Sequence, residues 1–64
     1  MPWNNHDYPD SMKNLPVEVR NKAIEIANAL LEEGYEEGRS IAIAISQARE
    51  WASSRGKPTG KENK

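Results

Sequence analysis

Apolar positions along the chain fall into three zones. From residue 1 to 15 they are scattered: Trp3, Tyr8, Met12 and Leu15 stand among Pro and Asn with no regular period. This predicts an extended arm with four apolar anchors. Pro9-Asp10-Ser11 opens a single tight helical turn within it, because proline presets φ and Asp or Ser can cap free amides.

From Pro16 the spacing changes. Val19, Ala23, Ile26, Ala27 and Leu30 recur on one face at helical period, and Ile24 and Leu31 widen the stripe to a second flank. Pro16 reads as the first helical residue, where its missing N–H costs nothing and it pushes Leu15 out of helical geometry. Glu18 favours that start through the helix dipole and an i,i+4 pair with Lys22. The helix is expected to span about residues 16 to 33.

The stretch EEGYEEGR, residues 32 to 39, then joins two helices. Gly34 is placed as the left-handed residue that ends the first one. Tyr35 follows where a Schellman ending sets its apolar contact, back onto Leu30. Glu36 and Glu37 open the next helix, where negative charge is favoured. Gly38 either loosens that first turn or permits close approach to the first helix. The alternating oxygen ligands of a calcium loop are missing.

The third zone, SIAIAISQAREWASS, is ambiguous. Ile41, Ile43 and Ile45 alternate with alanine, which is strand spacing. Alanine and the following QAREWA favour helix. As a helix of about residues 37 to 54, Ile41, Ala44, Ile45, Ala48, Trp51 and Ala52 share one face. Ile43 then lies about 160–200° from Ile41 and Ile45. It points away from the hairpin face, beside Arg39, Ser40, Gln47 and Glu50, where it is either covered by the N-terminal arm or an apolar spot on a partner or dimer face. Gly56, Lys57 and Pro58 stop the helix. The prediction is all-α: an antiparallel two-helix hairpin, with the N-terminal arm and its short turn packed across it.

Composition narrows the classes. With 64 residues there is room for one domain. The expected organisation is a helical domain over residues 1 to 54 and a polar, disordered tail over 55 to 64. A domain of this size buries only about 60% of its unfolded surface, so dimerisation or a docked partner would help it. There is no cysteine, which excludes a disulfide framework and fits a cytoplasmic protein. MPWNNHDYPD has neither the basic nor the apolar part of a signal peptide. Ile41 to Ile45 is far below the roughly 20 residues of a membrane helix, so no membrane insertion is expected.

Charge is uneven. Residues 55 to 64 sum to +3 and residues 1 to 54 to −4. The acidic body would repel nucleic acid. Arg55, Lys57 and Lys61 could contact phosphates, but no aromatic residues interleave with them for base stacking. A solubilising tail is the plainer reading.

Catalytic chemistry has little footing. His6 is the single histidine, near Asp7 and Asp10 but with no second His or Cys. It reads as a solvated side chain, not a metal ligand. No P-loop, HExxH or GxGxxG is present. A chain this small also has little space for a pocket of roughly 300 Å³. The expectation is a non-enzymatic protein without cofactor or metal. Its candidate contact residues, for a protein partner or a second copy, are Trp3, Tyr8, Ile43 and Gln47. Trp51 is placed in the core.

The opening, MPW followed by DYPDSMKNLP and a helix, resembles that of the ChaB family of small bacterial proteins. Met1, Pro2, Asp7, Pro9, Asp10, Ser11, Leu15 and Pro16 carry the likeness, and Trp3 fits it. EEGYEEGRSIAIAISQAREWA resembles a unit of small uncharacterised bacterial proteins that share this opening. The ChaB resemblance implies regulation of cation transport beside a sodium or calcium–proton antiporter. It brings no catalytic residues.

Overall fold

The computed structural model describes residues 2–56. The chain folds as a 3₁₀ turn, Asp10–Met12, followed by α1, Val17–Glu32, and α2, Glu37–Ser54. The architecture is all-α: α1 and α2 pack as a hairpin. Among the described residues there is no strand, only an isolated bridge between Asn4 and Asp7. The Ile-Ala alternation is therefore helical.

Both helix boundaries of the joint follow from local chemistry. Gly34 has φ +101°, the left-handed conformation open to glycine. The Tyr35 N–H donates to the Leu30 carbonyl (3.1 Å) and the Gly34 N–H to that of Leu31 (3.0 Å), the two bonds of a Schellman ending. Tyr35 itself remains 41% exposed. Gly38 does not serve a close approach: a Cβ built there meets nothing within 4 Å. Pro16 also differs from expectation. It is the N-cap, with ψ 152°, and its carbonyl accepts the first helical bond from the Arg20 N–H (2.8 Å).

The seam between the helices is made of small side chains. Ser40, Ala44, Ala48 and Ala52, spaced by four, are all fully buried on α2. Val19, Ala23 and Ala27 are their counterparts on α1. Rows at i±4 interdigitate when helices pack, and short side chains let the backbones approach. Ser40 was expected on the outer face beside Ile43; it lies inside. Its hydroxyl donates to the Glu36 carbonyl (2.8 Å), so its burial leaves no orphaned polar group.

The arm supplies the third layer. Met12 and Leu15 are buried with the helical core, and Trp3 and Tyr8 pack against it half-buried. The buried sector of α1 accordingly shifts toward the arm. Ile24 and Asn28 are buried, while Ile26 and Leu30 are only half-buried.

Candidate functional site

The candidate residues divide between the two flanks of α1. Tyr8 lies under the Arg20 guanidinium, 4.8 Å from ring centroid to Cζ. Trp51 lies under Lys22 Nζ at 5.4 Å. Two residues along a helix are about 160° apart around it, so these aromatics occupy opposite sides.

Trp3 is on the arm side, and Asn28 holds it there. The Trp3 N–H donates to Asn28 Oδ1 (3.2 Å), and Asn28 Nδ2 donates to the Trp3 carbonyl (3.0 Å). One side-chain amide thus satisfies both main-chain groups of an extended residue, as a neighbouring strand would. Asn28 is only 4% exposed. A lone Asn on a helix face reads from sequence as a surface residue, and sequence reasoning missed this one. The available signal was its place within the flank already marked by Ile24 and Leu31. Asn4 stabilises the bend before Tyr8: its Oδ1 accepts from the N–H groups of His6 (2.8 Å) and Asp7 (3.0 Å). His6 is exposed.

Trp51 is the centre of the other flank. It is half-buried rather than fully enclosed, and packs against the core. Its ring carries Lys22 on one contact and the Arg55 guanidinium, at 5.5 Å, on another. Lys22 Nζ is also 3.4 Å from Glu25 Oε1. Two shallow hollows meet at this indole. One is lined by Glu18, Asn21, Lys22, Glu25 and Trp51; the other by Gln47, Glu50, Trp51 and Ser54. The second is a four-residue hole at i, i+3, i+4 and i+7, the shape that receives a side chain from a neighbouring helix.

Ile43, Gln47 and Trp51 follow one another at i+4 on α2, so the row runs along this edge. Ile43 is half-buried and does not join the core cluster; Gln47 is exposed. The structure brings Gln47 and Trp51 together and leaves Trp3 and Tyr8 with the arm. Of the basic candidates, Arg55 is placed over Trp51, and Lys57 and Lys61 lie outside the described residues.

The arrangement offers apolar and cation–π contact. Among the described residues, no cluster of three His, Cys, Asp or Glu could hold a metal ion. None of the described helices is long and apolar enough to cross a membrane.

No protein-family model and no solved structure matches the chain, so the ChaB resemblance has no counterpart there. The chain is similar to the uncharacterized protein YdaT of Bacillus subtilis (strain 168), 65% identical over 52 residues. The match takes in 81% of the present chain and 35% of YdaT, so the chain spans about a third of that relative's length.

Proposed function

We propose that the chain is a small non-catalytic module that docks a protein partner along the Ile43–Gln47–Trp51 edge of α2. The observation that supports this reading is the position of Trp51, a half-buried indole between two hollows. Aromatic residues of this kind, anchored in a fold and still accessible, dominate binding energies at protein interfaces. Lys22 and Arg55 each lie against the ring and restrict it, which lowers the ordering cost of binding. Arg55 belongs to this edge on the same geometry. The cysteine-free chain fits a reducing cytoplasm. The ChaB-like opening points to cation transport as the process to examine.

The test is crosslinked affinity enrichment of the tagged chain from its own cells, with nuclease treatment. Wild type should enrich one protein that survives nuclease. Trp51→Ala should weaken its capture by about 30-fold, in the range of a hot-spot residue. Ile43→Glu should abolish capture with the helical circular dichroism intact. Equal capture by wild type and both folded variants would refute the docking edge. Loss of helix in Ile43→Glu would assign Ile43 to the core.

A further inference from the structure

The arm is bound to the hairpin as a ligand is bound. Its main chain is held at Trp3 by both hydrogen-bonding groups of Asn28. Its side chains fill a seat on the hairpin, with Met12 buried and Trp3 and Tyr8 packed against the core. Tyr8 is covered by Arg20. The link that follows is short and polar: Lys13 and Asn14 are exposed, after the Lys13 N–H closes the 3₁₀ turn onto the Asp10 carbonyl (3.1 Å). Nothing covalent fixes the arm to the hairpin it lies on, except through this link.

We propose that the seat also accepts the arm of a second copy, so that two chains exchange residues 2–12 about a hinge at Lys13–Asn14. An empty seat would expose the core face that Met12 covers, which is costly, and would exchange the two Asn28–Trp3 bonds for water. An occupant from elsewhere must present an extended residue to Asn28, an aromatic under Arg20 and an unbranched apolar side chain in the core, in this register. The arm of another copy does all three, and exchange keeps the contacts of the seat while giving up the bond across the hinge from the Leu15 N–H to the Met12 carbonyl (3.2 Å). Exchange of an identical element is a low-cost route to dimers, and it is favoured by concentration. The exchanged arm is held by Asn28 and Arg20 and uses no residue of the Ile43–Gln47–Trp51 edge, so the proposal stands independently of the docking edge.

The chain has no cysteine, which permits a direct test. Pro2, Asn28 and Ala29 line one depression where the arm meets α1, and Pro2 and Ala29 are exposed. A Pro2→Cys chain and an Ala29→Cys chain are mixed, unfolded and refolded together at high concentration, then mildly oxidised. Exchange predicts a covalent Pro2→Cys/Ala29→Cys pair above random pairing, and loss of that excess when Asn28→Ala is added. Sedimentation of the unaltered chain should show a dimer that grows with concentration. A unaltered chain that stays monomeric over its whole soluble range overturns the proposal. So does a dimer without the mixed pair, since its arms would be home.

Discussion

Asn28 links the arm to the helices with a single side chain. Its two bonds to Trp3 join positions 25 apart in sequence. In Asn28→Ala, the Trp3 N–H and carbonyl lose their partners in a part-buried place. A buried group left unsatisfied costs about 1–3 kcal/mol, against about 1 kcal/mol for an ordinary net hydrogen bond. The variant should therefore lose about 1–3 kcal/mol in urea unfolding, and Trp3 should become more accessible to fluorescence quenchers. An unchanged midpoint would mean the arm is held by its apolar anchors alone. Asn28 and Ser40 show where sequence stops being informative. Both are polar, both are buried, and both are tolerated inside because a main-chain group lies within reach. Residue type gives no sign of that; only the folded backbone does.

At the scale of the helices much was legible. The ends of α1 and α2 follow from Pro16, Gly34, Glu36 and Gly56, residues whose local chemistry outweighs tertiary context. The two glycines near the joint make a contrasting pair. Gly34 has positive φ and open space around it; Gly38 has ordinary helical backbone and open space. Gly34→Ala should destabilise by about 1 kcal/mol or more, because a Cβ is strained in the left-handed region. Gly38→Ala should stabilise by about 0.5–1 kcal/mol, because alanine favours helix and restricts the unfolded chain. Thermal melts of the two variants should shift in opposite directions. Shifts of the same sign would contradict the assignment of the joint. The alternation of Ile41, Ile43 and Ile45 was legible only in part. Helix propensity resolves it correctly, yet the half-buried state of Ile43 depends on how α1 and α2 cross.

Viewed whole, the described residues form an arm and two helices, and all three contribute to one core. Met12 and Leu15 belong to the buried core, and without them the hairpin's seam of alanines would be its main apolar contact. A third layer was foreseeable from the four apolar anchors of the arm. The flank it covers was not, because that depends on the turn at Asp10–Met12 and the direction in which Pro16 releases the chain. The similarity to YdaT adds that this unit has a close counterpart within a longer chain.

The seam of small side chains has a thermal consequence. Among the described residues, alanine supplies five of the nine buried hydrophobic ones, so the bulk of the apolar mass sits at the rim. Trp3, Tyr8, Trp51 and the half-buried isoleucines are already partly in contact with water before the chain unfolds. Unfolding therefore hydrates little new apolar surface. The heat-capacity increment should fall below the usual ~12–15 cal/mol/K per residue, as differential scanning calorimetry can measure. A small increment means a broad, flat dependence of stability on temperature. Such a fold gives up little in the cold, and its gentle unfolding curve comes from a core in which alanines outnumber the larger side chains.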